Sequence, residues 1–148
     1  MINIAIFASG GGTNAESLIK YFAPSKEVKI KLVVTNNPDA GVVKRAEAYK
    51  KNIQIISKEA LAGYTDQIID FLQTEKVDLI VLAGFLLLVP EKIIKAFPQR
   101  IINIHPALLP RHGGKGMYGK RVHEAVLAAK DTESGITVHY VDEHYDHP

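Results

Sequence analysis

Cysteine and tryptophan are both missing from the 148 residues. Without cysteine there is no disulfide framework, no thiolate nucleophile and no cysteine-based zinc site, and a reducing, cytoplasmic setting is expected. Charge of one sign is equally scarce. Lys and Arg number 18 against 16 Asp and Glu, a net charge of +2. No clustered basic stripe marks the chain for nucleic acid or a membrane surface. Long apolar runs are lacking too: the longest uncharged apolar stretch, Leu79 to Pro90, is well short of the roughly 20 residues that span a bilayer. The apolar start, Ile2 to Ala8, has neither the preceding positive charges nor the small-residue cleavage site of a secretory signal. It reads as a first strand entering a glycine loop. Neither a nucleic-acid nor a membrane partner is expected.

What is present is the composition of an ordinary globule, 47% hydrophobic and 23% charged. At about 100–200 residues per domain, residues 1–148 are expected to form a single domain with one core. Strand-like apolar runs alternate with helix-periodic segments: Ile2–Phe7 then Asn14–Phe22, Ile30–Val34 then Val42–Lys50, Ile53–Ile56 then Thr65–Glu75. Leu79–Leu82, Pro90–Phe97, Ile101–Ile104, a helix around Val122–Ala129 and Ile136–Val141 continue the pattern. Such alternation predicts an α/β fold, a parallel sheet with helices on both faces. In the Thr65–Glu75 helix, Ile68, Ile69 and Leu72 form the core-facing stripe. Pro90 suits a first helical turn and Pro98 a helix stop.

In open sheets of this kind ligands sit beyond the carboxyl ends of the strands. The first such loop, Ser9-Gly10-Gly11-Gly12-Thr13-Asn14, links a strand to a helix, so its backbone N–H groups and the helix terminus favour an anion, with phosphate the natural guest. A side chain at Gly12 would block that approach. A plain glycine turn is the simpler alternative. Gly10, Gly12 and Ala15 also fit the G-x-G-x-x-A form of the dinucleotide fingerprint, but the acidic residue expected about 20 positions on is absent: the second strand ends Val34-Thr35-Asn36-Asn37. A mononucleotide-sized phosphate ligand suits the loop better than NAD.

Asn103 and His105 lie two apart at the end of an apolar strand, so a strand's period of two sends both side chains to one side. An amide N–H can meet a developing oxyanion and an imidazole can supply a proton or a second donor. A His-Pro turn with a capping Asn is the plainer alternative. His139, His144 and His147 with Asp142 and Asp146 offer metal-ligand chemistry, but their spacing fits no zinc signature and no metal is expected. The segment Ala83 to Val89 is too apolar for a simple surface connection and suits either the wall of a flat ligand or core packing. Gly113 to Lys120 carries lysines that an anionic substrate could meet, although solvated loop lysines are commoner.

Taken together, Ser-Gly-Gly-Gly-Thr-Asn at 9–14, Val-Leu-Ala-Gly-Phe at 81–85, Asn-Ile-His-Pro-Ala-Leu-Leu-Pro at 103–110 and Thr-Val-His-Tyr-Val with Asp146 resemble the phosphoribosylglycinamide formyltransferase family. The resemblance covers essentially the whole chain. It implies a Rossmann-like, open, mostly parallel sheet (the formyltransferase fold) and formyl transfer from the co-substrate 10-formyltetrahydrofolate to the amine of glycinamide ribonucleotide in purine biosynthesis. It implies no metal, and a monomer or homodimer. On the matching positions it implies a catalytic trio of Asn103, His105 and Asp146, and phosphate binding by Gly11, Gly12, Thr13 and Asn14. A folate pocket would be lined by Leu86, Leu87, Leu88, Val89, Asn103, Asp142, Glu143, His144 and Tyr145, with a substrate-side role for His123. Two departures stand out. Leu61 occupies a position that is often arginine near the folate, and the chain ends at His147-Pro148, where the family continues through a C-terminal segment. A shortened chain is therefore expected. The rival readings are a formyltetrahydrofolate hydrolase, another folate-dependent formyltransferase, or a folate- or phosphate-binding fragment without turnover.

Overall fold

A computed structural model describes residues 1–105 and 137–141. The predicted helix at 122–129 and the loop at 113–120 lie outside the described residues, as do His123 and the segment 142–148. Among the described residues six strands form one sheet: β1 (Ile2–Phe7), β2 (Val28–Thr35), β3 (Asn52–Ile55), β4 (Leu79–Ala83), β5 (Ile101–His105) and β6 (Thr137–Tyr140). Their order across the sheet is β3-β2-β1-β4-β5-β6, with β1 to β5 parallel and β6 antiparallel to β5. The mostly parallel sheet expected from the alternation is thus present.

The helices among the described residues are α1 (Thr13–Phe22), α2 (Gly41–Ala48), α3 (Lys58–Gly63), α4 (Thr65–Thr74) and α5 (Glu91–Ala96). Two apolar layers hold them to the sheet. Ile4 and Ile6 of β1 join Ala15, Leu18, Ile19 and Phe22 of α1 and Val42 and Ala46 of α2 in one cluster. Ala5 and Phe7 join Leu61, Ile68, Leu72, Ile93 and Ile94 of α3, α4 and α5 in the other. Because both faces of the sheet are covered, its central strands are apolar without alternation, and every residue of β4 is buried.

Helix α1 follows from its apolar spacing at positions 15, 18, 19 and 22, with Glu16 in its first turn and Lys20 in its last complementing the helix dipole. Two helical details differ from the sequence expectation. The short helix α3 was not anticipated; Ser57 caps it by accepting a hydrogen bond from the Ala60 N–H at 3.0 Å. Pro90 is the residue before α5 rather than its first helical position, with an extended ψ of 145°.

Candidate functional site

The chain leaves β1 toward β2 on one side, while β4 lies on the other side of β1. This reversal of direction opens a crevice between the loops that follow β1 and β4, the usual ligand position in open α/β sheets. The glycine loop is one lip and the segment from Gly84 to Pro90 is the other. Ser9 couples them. Its N–H donates to the Gly84 carbonyl at 3.1 Å, and its Oγ accepts from the Leu86 N–H at 2.9 Å while donating to Asn36 Oδ1 at 2.6 Å. Asn36 thereby occupies the end of β2 where a dinucleotide fold would hold a ribose with an acid, which agrees with the weakness of the NAD reading.

The glycine lip is held from behind by α2. The Val42 N–H donates to the Gly10 carbonyl at 3.0 Å, and Arg45 Nε donates to the Gly11 carbonyl at 2.7 Å. Arg45 also pairs with Glu16, whose other carboxylate oxygen accepts from the Tyr49 hydroxyl at 3.3 Å. No side chain caps α1, and the N–H groups of Gly11, Gly12, Thr13 and Asn14 have no acceptor among the described residues. The loop therefore presents a row of donors at a helix N-terminus, suited to an anion.

Gly12 has a second duty that the sequence did not reveal. Its φ of +80° lies in the left-handed region, and a Cβ there would come within 2.6 Å of Val42 Cβ. The position thus demands glycine for folding as well as for any phosphate. A Cβ at Gly10 or Gly11, by contrast, would meet none of the described residues beyond its chain neighbours within 4 Å.

The β4 lip is apolar and divided in use. Phe85 packs edge-on against Phe7 at the end of β1, ring centroids 5.3 Å apart, and Leu87 and Val89 are half-buried against the core. Leu86 and Leu88 are 82% and 67% exposed. A cavity of about 350 Å³ is lined by Lys58, Leu61, Ala62, Leu86, Leu87, Leu88 and Pro90. Of the four positions from Leu86 to Val89 that the resemblance assigns to a folate pocket, Leu86, Leu87 and Leu88 line it and Val89 does not.

Next to β4, Asn103 of β5 pairs in register with Leu82 on one side and with His139 on the other, and is half-buried. Ile102 and Ile104 belong to the α1–α2 layer and Ile101 to the other. Strand alternation therefore turns Asn103 to the face that carries Phe85 and Leu87. His105 closes the strand opposite Thr137. The antiparallel β6 runs back along β5, so Val141 donates its N–H to the Ile101 carbonyl at 2.8 Å, at the end of β5 remote from His105. Asp142, Glu143, His144, Tyr145 and Asp146 lie outside the described residues.

Among the described residues no group of His, Asp and Glu has the arrangement to hold a metal ion. The lysine Lys51 is held below the usual lysine range, first by burial and then by the charge of Lys29. Both line a separate cavity of about 220 Å³ with Ile19, Phe22 and Val28, at the opposite end of the sheet from the crevice. No helix among the described residues is long and apolar enough to cross a membrane.

Comparison with known proteins covers this whole arrangement. The family described as Formyl transferase matches residues 2–147. The chain is 40% identical over 97% of its length to the chloroplastic phosphoribosylglycinamide formyltransferase of Arabidopsis thaliana, and 37% identical over 99% to the phosphoribosylglycinamide formyltransferase of Bacillus subtilis (strain 168). It spans 51% of the first and 74% of the second, and so about half the length of the plant relatives. Glycinamide ribonucleotide transformylase 1 from Geobacillus kaustophilus superposes with a TM-score of 0.72 at 32% identity, over 97% of this chain and 76% of that one. The phosphoribosylglycinamide formyltransferase structure from Anaplasma phagocytophilum gives 0.74 at 32%, over 98% and 67%. With the parallel sheet, the glycine lip and the Asn103-Ile104-His105 strand end all inside the matched span, the chain belongs to the formyl transferase family, among its phosphoribosylglycinamide formyltransferases.

Proposed function

We propose that the chain transfers a formyl group from 10-formyltetrahydrofolate to the amine of glycinamide ribonucleotide, a step of purine biosynthesis. The observation that carries this is the joining of two unlike lips by Ser9: on one, the N–H groups from Gly11 to Asn14 have no acceptor among the described residues, and on the other Leu86 to Leu88 form an apolar wall. A phosphate suits the first and a flat, reduced pterin the second. Asp142, Glu143, His144 and Tyr145 complete the folate side in this proposal. The zero-cysteine composition supports a reducing, cytoplasmic setting.

Chemically, the substrate amine attacks the formyl carbon and the formyl oxygen becomes an oxyanion. Asn103 meets that oxygen with an amide N–H and His105 with a protonated ring, while the folate nitrogen leaves with a proton and the amine gives one up. Asp146 favours the protonated imidazole and orders the water that relays the proton. No covalent enzyme intermediate is needed, because holding both substrates together supplies much of the rate.

A formyl-transfer assay on this chain, and on one extended to the length of its bacterial relatives, tests the proposal. His105→Ala and Asp146→Asn are each expected to lower turnover by on the order of 10²–10⁴ with small effects on substrate binding. The double variant loses far less than the product, because the two act as a unit. Formyl folate consumed without ribonucleotide would instead make the chain a hydrolase, and binding of both ligands without turnover in either length would make it a binding module.

A further inference from the structure

Two successive peptide groups of the glycine lip are gripped by their carbonyls, and both grips come from α2. Val42 holds the Gly10 carbonyl through its backbone N–H, and Arg45 holds the Gly11 carbonyl through Nε. A trans peptide is planar, with its C=O and the following N–H pointing in opposite directions. Pinning the Gly10 carbonyl toward α2 therefore aims the Gly11 N–H away from α2, and pinning the Gly11 carbonyl does the same for the Gly12 N–H. The first grip is part of the backbone. The second depends on one side chain.

Gly11 has no side chain of its own to fix this peptide, and among the described residues none beyond its chain neighbours comes within 4 Å of the position its Cβ would take. Glycine flanked by glycine has the widest choice of backbone conformations, so without a partner the 11–12 peptide is free to rotate. Arg45 supplies the missing constraint from α2, and its own orientation is set by Glu16, which is in turn held by the Tyr49 hydroxyl. The guanidinium is thus committed to a carboxylate and a carbonyl. Its charge is largely matched by Glu16, so its contribution is geometric rather than that of a free cation.

We propose that Arg45 is a positioning residue: by holding the Gly11 carbonyl it fixes the Gly12 N–H toward the anion, so that the phosphate-binding lip is organised before its ligand arrives. The inference rests on the placement of a phosphate at this lip in the preceding section. It does not depend on the identity of the formyl donor. Preorganised donors bind without the ordering cost that a mobile loop incurs.

The test compares Arg45→Lys and Arg45→Met with the parent chain. Lysine keeps the charge but lacks the planar fork that reaches a carbonyl and a carboxylate together. Inorganic phosphate is expected to bind about tenfold more weakly to both variants, with the ribonucleotide KM raised and kcat little changed. Thermal midpoint and affinity for a reduced folate stay near those of the parent. In the ligand-free protein the Gly12 amide resonance, sharp in the parent, broadens in both variants. Phosphate affinity retained by Arg45→Lys and lost by Arg45→Met would overturn the proposal in favour of a direct charge contact, and folate affinity falling in step with phosphate would overturn it in favour of a general structural role. If the parent binds no phosphate, the ligand placement fails while the Gly12 resonance still decides: broadening in Arg45→Lys upholds the positioning role, and an unchanged resonance ends it.

Discussion

On the β1 side of the crevice the backbone is tied down from outside, with the Gly10 and Gly11 carbonyls held by α2, whereas the β4 side hangs on Ser9 through the Gly84 carbonyl and the Leu86 N–H and is otherwise seated by apolar side chains. The first lip keeps its N–H groups open and hides its carbonyls. The second sinks Phe85, Leu87 and Val89 into the core and leaves Leu86 and Leu88 in solvent. Each lip thus separates anchoring atoms from presenting atoms, one through the two ends of a peptide bond and the other through alternate side chains. An anion needs fixed dipoles, and a flat apolar ligand needs area. Substitutions that remove an anchor should disturb folding, and those that alter a presenting atom should disturb only one ligand.

The largest effect is expected at Gly12, the anchor that looks like a presenter. Gly12→Val must adopt a left-handed φ and push against Val42, which together cost about 2–5 kcal/mol of stability. Chemical denaturation would measure this. Affinity for ribonucleotide and for folate should fall together, in contrast to the selective loss of phosphate that the sequence alone suggests for this position. A stable Gly12→Val chain that has lost only the ribonucleotide would show that the contact with Val42 is easily relieved.

That contrast marks how far the sequence reaches. Strand and helix order was legible because both sheet faces are covered, and the resulting apolar runs and 3.6-residue stripes are local patterns. Helix α3 was missed because six residues carry too little periodicity, although Ser57 followed by Glu59 is the signature of a helix start. The glycine lip was legible as a loop between a strand and a helix. Its supports were not: Ser9 reaches Leu86, Arg45 reaches Gly11 and Gly12 meets Val42 only after the parallel strands bring distant segments together. Nothing in the spacing of Arg45 along α2 marks it out, since its partner is a backbone carbonyl 34 residues away.

Ser9 comes next in size because it joins the two lips. Ser9→Ala removes two part-buried hydrogen bonds, to the Leu86 N–H and to Asn36 Oδ1, each worth about 0.5–1.5 kcal/mol net and together about 1–3 kcal/mol. Amide hydrogen exchange at Leu86 should quicken in step with the loss of stability. Unchanged exchange at Leu86 would mean that the β4 lip is held by Phe85 and Leu87 alone. A smaller change still is expected of Gly11→Ala, where the Cβ meets open space and φ is ordinary. Stability should alter by less than about 1 kcal/mol, and can rise through the narrower unfolded ensemble. Ribonucleotide binding should nevertheless weaken by about tenfold, with folate binding unaffected, because the methyl group stands at the edge of the donor row. Equal weakening of both ligands would place the methyl group's effect in the fold.

The smallest effect on stability, and the sharpest test of the β4 lip, belongs to Leu86→Ser and Leu88→Ser. Both side chains are mostly in solvent and contribute little to the core, so each change should leave stability within about 0.5 kcal/mol of the parent. Exposed leucines on a ligand wall behave differently once the ligand arrives. Burying a leucine fully is worth about 1.5–3 kcal/mol, and a partly covered one on the order of 1 kcal/mol, or several-fold in affinity. Each substitution should therefore weaken a reduced-folate analogue several-fold, the double variant by roughly the product, and neither should move the affinity for inorganic phosphate. Leu87→Ser runs the other way, because Leu87 is half-buried against the core while it lines the same cavity, and it should lose stability and folate together. If Leu86→Ser and Leu88→Ser leave folate binding intact while Leu87→Ser abolishes it with the fold, the lip is packing rather than a ligand wall, and the crevice has one specialised side instead of two.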